Sequence, residues 1–549
     1  MGNKKKPSLQ KNNVSFLNNN RFQLISIIVV TLLLYSKIIS FQFIGLDEPT
    51  LIIDNYEFLK DFSNFQKVFS QHVFYAKHHT DNSADYYRPI LTLSFMLDTQ
   101  FSAELSPRFY HFSNIIYHII SIILLFYFFK HLKINSLTTF FLCLIFALHP
   151  ILTQAIAWIP GRNDSLIAIF TLLSFNYFIK YCNNFSRKNL IIHVLFFAIA
   201  LLTKESGMAI IAITFFYFIF IAKQKLFSSK TLYILVGYLI VIISWYFMRK
   251  QAFSNNPVSG LPIEIVKEVT TNFPLIFQYL QKIILPINLS VMSTPKDTNY
   301  LLSFISILLL ALGLYFTKPI RWNYVLFGAL WFLAFISPSL LTSYFGGLEH
   351  RAYLSVIGIL IIVSEFQIFQ PLAFNRFKYV QLLILASYTI ITINRLPIFR
   401  NSLVYWESAV KTSDNSSLSC LNLGKEYERM GKYQKAIDVY REGLKRNPKE
   451  KLLHNNIGGA YILLNLYDKA EIELKKEIEL APESSFPYFN IGFIRKRQNK
   501  MEEAVSYWIK SLQNNKNFLN PYQELADYYK SIDDTLNLNY CLKEINRLK

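Results

Sequence analysis

Long apolar runs organise the first two-thirds of the chain. Runs of roughly 20 apolar residues, the length that crosses the hydrocarbon core of a bilayer, recur between Arg21 and Arg395. About eleven spans are predicted, at residues 22–40, 111–129, 137–153, 164–181, 189–203, 205–222, 231–249, 300–317, 322–341, 352–369 and 377–394. Residues 272–286 are also apolar, but the run is short and Pro274 and Pro286 bracket it, which favours a surface-lying or re-entrant segment. The pattern therefore predicts an all-α, polytopic domain over residues 22–395.

The pattern changes after Arg395, where an internal repeat replaces the apolar runs. Three kinds of residue recur at a 34-residue step: Gly424, Gly458 and Gly492; Ala436, Ala470 and Ala504; Pro448 and Pro482. This is the tetratricopeptide period, in which each repeat is a pair of helices and the pairs stack into a solenoid. Three clear repeats and a terminal cap are predicted over residues 419–549, after a linker at residues 396–418.

The charges that flank the spans predict the side on which each loop lies. The basic N-terminus, residues 1–21, is expected in the cytoplasm, and the run that follows has no small-x-small cleavage site, which indicates an uncleaved signal-anchor. With alternating spans, every inner loop carries basic residues, as the positive-inside rule requires. The long loops at residues 41–110 and 251–299 and the repeat domain are then expected on the outer side.

Composition excludes several other classes of protein. A hydrophobic fraction of 52% is too high for an ordinary soluble protein of this size. The formal net charge of +20 comes mainly from basic residues at the ends of spans, with no continuous basic surface of the kind that binds nucleic acid. The 4 cysteines are scattered and form no CxxC pair, which argues against a disulfide framework or a zinc site.

The candidate chemistry begins with Asp47 and Glu48, directly after the first span. Repulsion between adjacent carboxylates at a partly desolvated surface makes one of them a better proton acceptor near neutral pH. The alternative is that both are solvated acids outside a signal-anchor. Arg88, which follows Tyr87, offers a guanidinium fork that suits a phosphate, although an interfacial anchor would look the same.

Other outer loops add acids, bases and cations. Lys204 and Glu205 interrupt an apolar stretch at the apex of a hairpin, where a functional role is the default and a structural ion pair the alternative. Asp164 is a candidate either for the site or for a simple helix cap. The remaining candidates lie at span ends on the same side: His149, Arg162, Glu349, His350 and Arg351.

Several familiar sites are absent from the sequence. It contains no GxxxxGK[ST] phosphate loop, no HExxH zinc helix and no GxSxG nucleophile elbow. It also lacks a DxD-type acidic metal motif, which soluble sugar-nucleotide transferases use. These absences turn attention to the charged outer loops.

Taken in order, the loop motifs resemble a known family. They read YYRP, ALHPILTQAIAWIPGRND, LLTKESG, ILPINLS and GGLEHRAYL, after an outer Asp-Glu pair and before the repeats. This arrangement resembles the transmembrane and tetratricopeptide-repeat O-mannosyltransferases of the GT-C superfamily, over roughly residues 20–540. The histidine between Glu349 and Arg351 and the short repeat array depart from the family pattern. The abundance of Asn, Lys, Ile and Phe, with the short array, indicates a bacterial relative in the inner membrane, with the repeats in the periplasm.

The resemblance implies an inverting transfer of a monosaccharide from a polyprenyl-phosphate donor to a hydroxyl on a protein or glycan acceptor. Asp47, beside Glu48, would take the proton of the acceptor hydroxyl, and the repeat domain would hold the acceptor. The cations expected to stabilise the leaving lipid phosphate are Arg88, Arg162, Lys204 and Arg351, so neither a metal nor another cofactor is required. Supporting roles fall to Tyr87, His149, Asp164, Glu205, Glu349 and His350.

Two other functions remain open at this stage. A polymerase or ligase of surface polysaccharide would use a diphosphate-linked oligosaccharide donor and would need broader basic outer loops. A membrane-anchored tetratricopeptide scaffold, or a transporter subunit, would involve no catalysis. A scaffold needs one anchor rather than eleven spans, and a transporter would place its charges nearer the middle of the membrane.

Overall fold

The computed structural model describes residues 19–74, 86–102, 104–253, 262–342, 347–370 and 374–548. Within these ranges the chain is helical, with a single isolated antiparallel bridge between Ser293 and Gly347. The all-α fold class is therefore confirmed. The basic residues before Asn19, on which the predicted orientation of the N-terminus depends, lie outside the described residues.

The chain divides into two compact units, one ending at Tyr405 and the other beginning at Trp406. The α-helices of the first unit are α1 Asn20–Tyr35, α2 Tyr56–Lys60, α3 Pro89–Thr99, α4 Pro107–His131, α5 Ser136–Leu148, α6 Thr153–Ala157, α7 Arg162–Asn184, α8 Arg187–Thr203, α9 Ala209–Phe216, α10 Ser229–Ala252, α11 Pro262–Asn272, α12 Pro274–Ile284, α13 Tyr300–Tyr315, α14 Trp322–Ile336, α15 Tyr353–Val363 and α16 Phe374–Arg395. Short 3-10 segments extend or connect them, among them Ser36–Ser40, Pro150–Leu152, Glu205–Met208, Glu349–Ala352 and Gln367–Phe369.

All eleven predicted spans coincide with apolar helices. In the described part of the chain, six helical segments are long and apolar enough to cross a membrane: Asn20–Ser40, Pro107–His131, Ile159–Asn184, Ser229–Ala252, Trp322–Leu341 and Arg376–Phe399. The pair Ser136–Leu148 and Pro150–Ala157, bent by 47°, makes a seventh if it is one span. The four other predicted spans are helical segments of 17 residues or fewer, about 25 Å long at most. They are shorter than the hydrocarbon core of a typical bilayer, which is about 30 Å thick. The first unit is thus a multi-pass membrane domain.

Residues 272–286 form a short helix rather than a span. Helix α12 has 11 residues, a length of about 16 Å, which is too short to cross the hydrocarbon core. It buries its polar residues Gln278, Gln281 and Lys282 against the domain, while Phe273 just before it is exposed. All the polar side chains of α12 thus lie on its buried face, and the outer face is apolar, which suits a helix that lies along the domain at the membrane surface.

Close backbone approach holds the α14–α15 hairpin together. A Cβ on Gly328 would lie 2.5 Å from the carbonyl oxygen of Gly358, and a Cβ on Gly358 would lie equally close to the oxygen of Gly328. Paired glycines of this kind let two membrane helices pack at backbone distance. The hairpin carries Arg351 and His350, just before α15, to one end of the domain.

The second unit consists of helix pairs after an initial helix, α17 Ser402–Thr412, which spans the unit boundary. Its other helices are α18 Ser417–Arg429, α19 Tyr433–Arg446, α20 Leu453–Leu463, α21 Tyr467–Leu480, α22 Ser485–Arg497, α23 Met501–Asn514, α24 Leu519–Ser531 and α25 Thr535–Leu548. A Cβ on Gly424 would lie 2.1 Å from the Tyr440 ring, and a Cβ on Gly492 would lie 2.5 Å from Trp508. The repeated glycine therefore marks the contact between the two helices of each pair, and α24–α25 is the fourth pair, where the terminal cap was predicted.

Candidate active site

One cavity in the membrane unit gathers charged side chains from five separate segments. Its volume is about 550 Å³. The charged or titratable residues that line it are Asp47, Arg88, Asp164, Lys204, His350 and Arg351. Each of these residues was a candidate from the sequence, and the segments that carry them are far apart along the chain. The structure thus brings half of the predicted site residues to one space.

Asp47 reaches the cavity through a tight turn after the first span. Gly45 has a φ of +71°, in the left-handed region that glycine adopts without strain, and Pro49 then starts a short helical segment. Burial raises the pKa of Asp47 to about 6, although the positive charges of Arg88 and Arg351 lower it. Such a carboxylate is a base matched to near-neutral pH.

Glu48 points away from the cavity. It is 1% exposed and its Oε2 accepts the Leu46 N–H at 3.0 Å, so it does not belong to the lining. Burial, with a smaller contribution from the charge of Asp47, raises the pKa of Glu48 to about 7, although hydrogen bonds from the backbone lower it. Of the two catalytic candidates in the Asp-Glu pair, only Asp47 lines the cavity, because adjacent residues in this turn project in different directions.

The cations and acids of the loops pair across the chain rather than with their sequence neighbours. Arg88 donates to Glu205 at 2.9 Å and lies 4.0 Å from the centre of the Tyr86 ring. Lys204 donates to Asp164 at 2.6 Å. The alternative of a Lys204–Glu205 ion pair is therefore wrong, and each residue instead ties the hairpin apex to a different loop.

Arg351 and His350 complete the lining. Arg351 donates to the Thr342 hydroxyl at 2.8 Å, and no carboxylate among the described residues forms an ion pair with it. His350 lies 3.9 Å from Asp164. Burial lowers the pKa of His350 well below its usual value, and the charges of Lys204, Arg351 and Arg88 lower it further, so the imidazole is neutral.

A smaller chamber of about 280 Å³ adjoins this cavity. The lining residues that the two share are Tyr86, Arg88, Asp164, Lys204, Leu341, Thr342 and Arg351. The smaller chamber adds Glu205, Ser206 and Arg249. Arg249 was not among the site residues predicted from the sequence. A cation near the end of a span indicates only on which side of the membrane that end lies.

Arg162 is not a phosphate ligand in this structure. Its side chain is fully buried, with Nη1 2.5 Å from Asp98, Nε donating to Asn114 at 2.8 Å and Nη2 donating to the Tyr110 carbonyl at 2.7 Å. A guanidinium so fully hydrogen-bonded has no face left for a substrate. The prediction for Arg162 is wrong because Arg162 and Asp164, two residues apart at the start of α7, project from opposite sides of the helix, and only Asp164 reaches the cavity.

Three supporting candidates, Tyr87, His149 and Glu349, lie outside both chambers. Tyr87 is buried and donates to the Phe69 carbonyl at 2.7 Å, while Tyr86 lines the cavity instead. His149 contacts the Ile283 carbonyl at 2.9 Å and faces a different, apolar groove.

Glu349 is the centre of a buried charge cluster that the sequence did not reveal. It pairs with Lys282 at 2.9 Å and with Arg395, and it accepts the Ser290 N–H at 2.6 Å. All three charged side chains are at most 6% exposed. The cluster joins α12, the ILPINLS loop and the end of α16 to the segment that carries His350 and Arg351. In the sequence, the one indication of this cluster is Lys282, a charged residue within the otherwise mostly apolar segment 272–286.

Two family models match parts of the chain. Residues 104–247 match the family described as dolichyl-phosphate-mannose-protein mannosyltransferase, a range that includes Asp164, Lys204 and Glu205 but not Asp47. Residues 417–450 match the tetratricopeptide repeat.

Several curated relatives align with this chain, two of them over most of its length. Protein O-mannosyl-transferase TMTC3 of Mus musculus is 23% identical over 87% of this chain and 58% of the relative. Protein O-mannosyl-transferase F38B6.6 of Caenorhabditis elegans is 25% identical over 76% of this chain and 57% of the relative. Protein O-mannosyl-transferase TMTC2 of Homo sapiens is 32% identical over 34% of this chain and 25% of the relative. The chain therefore spans somewhat more than half the length of the first two.

Among solved structures, MamA from Desulfovibrio magneticus RS-1 is 18% identical, with a TM-score of 0.23, over 27% of this chain and 83% of that chain. The two family models and the curated relatives together make this chain a TMTC-like protein, similar to the transmembrane and tetratricopeptide-repeat O-mannosyltransferases.

Proposed function

We propose that this chain is a GT-C-type membrane glycosyltransferase. It moves a monosaccharide from a polyprenyl-phosphate donor to an acceptor hydroxyl, with inversion at the anomeric carbon. The observation that carries the proposal is the Asp47 carboxylate, with a pKa raised to about 6, in one cavity with Arg88, Lys204 and Arg351. The named activity of the curated relatives, protein O-mannosyl transfer, agrees with it and favours mannose as the sugar.

Asp47 is the general base. Its carboxylate takes the proton of the acceptor hydroxyl while that oxygen forms a bond to the anomeric carbon. The bond from that carbon to the phosphate oxygen breaks, and the lipid phosphate leaves with the electron pair. Attack from the face opposite the leaving group inverts the centre. A base whose pKa is just below the operating pH is ionised yet still basic enough to accept the proton.

Arg351 is the first cation assigned to the lipid phosphate. It lines both chambers and forms no ion pair with a described carboxylate, so its charge is available to the ligand. Arg88 and Lys204 are already held by Glu205 and Asp164, and they add positive potential around the same space. Fixed cations in a site of limited solvent access stabilise charge that develops on a leaving group.

The repeat unit is assigned to the acceptor. In each of its first three helix pairs a glycine of the first helix packs against a large side chain of the second: Tyr440, Leu474 and Trp508. Stacked helix pairs of this kind form a curved surface suited to an extended partner. Positive-inside topology places the first loop and the repeats on the non-cytoplasmic side, which for a bacterial protein is the periplasm. A protein or glycan acceptor held there would meet the donor at the membrane surface.

Sugar transfer in membranes tests the proposal directly. Membranes with matched amounts of wild type, Asp47→Asn and Asp54→Asn receive labelled polyprenyl-phosphate sugars, and donor consumption is followed. Asp54 is the matched control, because it is an exposed aspartate seven positions further along the same loop. We expect wild type and Asp54→Asn to consume one donor and Asp47→Asn to lose at least about a hundredfold in rate.

Two results would count against it. Equal turnover by wild type and Asp47→Asn would remove Asp47 as the base. No turnover with any monophosphate donor, even with cell extract as the acceptor, would favour a polymerase that uses a diphosphate-linked oligosaccharide, or a scaffold.

A further inference from the structure

A second large space in the membrane unit is an apolar groove of about 650 Å³. Helices α12, α13, α15 and α16 and the end of α5 form its walls, and most of the lining is leucine, isoleucine and phenylalanine. The polar lining residues are His149, Thr317, Gln367, Arg376 and Tyr388, with no acidic residue among the described lining. The proposed transfer reaction uses none of these side chains.

The groove runs beside α16, a candidate span, and its Arg376 end lies at the opposite end of that helix from the Asp47 cavity. Helix α16 gives the direction, because Arg395 at its C-terminal end pairs with Glu349 beside the cavity, while Arg376 lies near its other end. The groove follows α16 from Arg376 to Tyr388, about 18 Å of helix at 1.5 Å per residue. One leaflet contributes about 15 Å of hydrocarbon, so the groove is about one leaflet deep.

The Arg376 end of the groove is basic. Arg376 lines the groove, and Lys318 directly follows the lining residue Thr317. Within the described ranges, neither Arg376 nor Lys318 forms an ion pair. The carboxylate of Glu365 is already taken by Arg321, at 2.5 Å. An apolar channel that opens onto unpaired cations is complementary to a hydrocarbon chain joined to a phosphate.

We propose that this groove binds one anionic glycerophospholipid from the leaflet on the Arg376 side. One acyl chain fills the groove, and the headgroup phosphate pairs with Arg376. The donor of the proposed reaction does not fit this position, because its phosphate must reach Arg351 at the opposite face and a polyprenyl chain is longer than one leaflet. The lipid is therefore a resident ligand, separate from transfer, that holds α13 and α16 together.

The chain offers matched controls for both halves of the ligand. Leu309 and Leu308 are adjacent in α13 and similarly exposed, at 43% and 44%, but only Leu309 lines the groove. Leu309→Trp should fill the groove, whereas Leu308→Trp adds the same bulk outside it. Arg376→Gln removes the charge at the groove mouth, and Lys378→Gln removes a charge of the same sign two residues away.

The experiment uses the full chain, purified in mild detergent and exchanged into vesicles of phosphatidylcholine with phosphatidylglycerol. Retained lipid is then counted by mass spectrometry after re-extraction, with polyprenyl phosphate added in a parallel arm. Wild type, Leu308→Trp and Lys378→Gln should retain phosphatidylglycerol in preference to phosphatidylcholine. Arg376→Gln should lose about fivefold of that preference, the loss expected for one cation near the surface, and Leu309→Trp should retain neither lipid.

Three outcomes would overturn the proposal. In the first, wild type retains no more phosphatidylglycerol than Leu309→Trp. In the second, Arg376→Gln and Lys378→Gln lose the preference for phosphatidylglycerol equally, which would indicate a general effect of surface charge. In the third, polyprenyl phosphate would displace the phospholipid completely and in an Arg376-dependent way, which would make the groove a site for that lipid. None of these readouts depends on sugar transfer, so they leave the proposed function to its own test.

Discussion

Two groups in the membrane unit both combine basic side chains with an aspartate but lie in opposite environments. In the cavity, Arg88, Lys204 and Arg351 reach open space beside Asp47. A few residues away in sequence, Arg162 and Asp98 are 0% and 4% exposed and bond only to each other and to their neighbours. A charge in a membrane domain is a functional candidate by default. The comparison shows that the decisive property is free volume at the charged end of the side chain.

We call Arg162 and Asp98 the closed group, and Arg88, Lys204 and Arg351 the open group. The two groups also differ in what they contribute to the free energy of unfolding. Removing one partner of a buried ion pair leaves the other charge desolvated and uncompensated, which is strongly destabilising. A cation that faces a cavity keeps water or a ligand as its partner, so its loss affects binding more than folding. Substitutions should therefore separate the two groups cleanly.

The largest effect is expected for Arg162→Met. Asp98 would then be a buried carboxylate without its cation, and stability should fall by about 3–5 kcal/mol. Thermal unfolding of the purified full chain in detergent measures this. The double variant Arg162→Met, Asp98→Leu should recover part of the loss, since it removes both charges. A wild-type unfolding temperature for the single variant would show that the cluster is not structural.

Arg351→Met should give the reverse result. Transfer should fall about a hundredfold, because a cation aimed at the leaving phosphate is lost, while the unfolding temperature changes little. Sugar transfer and thermal unfolding on the same preparation make the comparison. Arg400→Met is the control, since Arg400 is an exposed arginine outside the cavity. Unfolding at a lower temperature in Arg351→Met would place Arg351 with the closed group.

The pH dependence of transfer should report Asp47. Burial raises the pKa of Asp47 to about 6, and only the ionised form accepts a proton. Below pH 6 the plot of kcat/KM should therefore fall about tenfold per unit as Asp47 becomes protonated, and it should level off above pH 6. Glu48→Gln should keep the inflection, because Glu48 lies outside the cavity. An inflection near the ordinary aspartate value, about 4, would indicate a solvated carboxylate instead.

The smallest effect applies the same contrast to two adjacent glycines in the repeat unit. A Cβ on Gly458 would lie 2.7 Å from Leu474, whereas a Cβ on Gly459 would meet nothing within 4 Å. Gly458→Ala should destabilise its helix pair by about 1–3 kcal/mol, through overpacking. Gly459→Ala should stabilise it by up to about 1 kcal/mol, through helix propensity. Hydrogen exchange of residues 453–480 in the full chain measures both. Equal protection in the two variants would contradict the packing of the repeat.

Local patterns in the sequence determined the elements of both units. The apolar runs found all eleven helices because hydropathy over about 20 residues depends only on neighbours along the chain. The 34-residue step found the repeats for the same reason, since each glycine contacts the next helix of its own pair. The lengths of the spans were harder, as bends and 3-10 turns such as Pro150–Leu152 leave no strong trace in hydropathy.

The tertiary structure decided which charged residues share a space. Arg88 pairs with Glu205, and Lys204 with Asp164, across separations of 117 and 40 residues, which no local pattern encodes. The sequence could name Asp47, Arg88, Lys204 and Arg351 as candidates, because charges at span ends are costly enough to need a reason. It could not separate them from Arg162 or reveal Lys282 and Arg395, because burial and open volume depend on how distant helices pack.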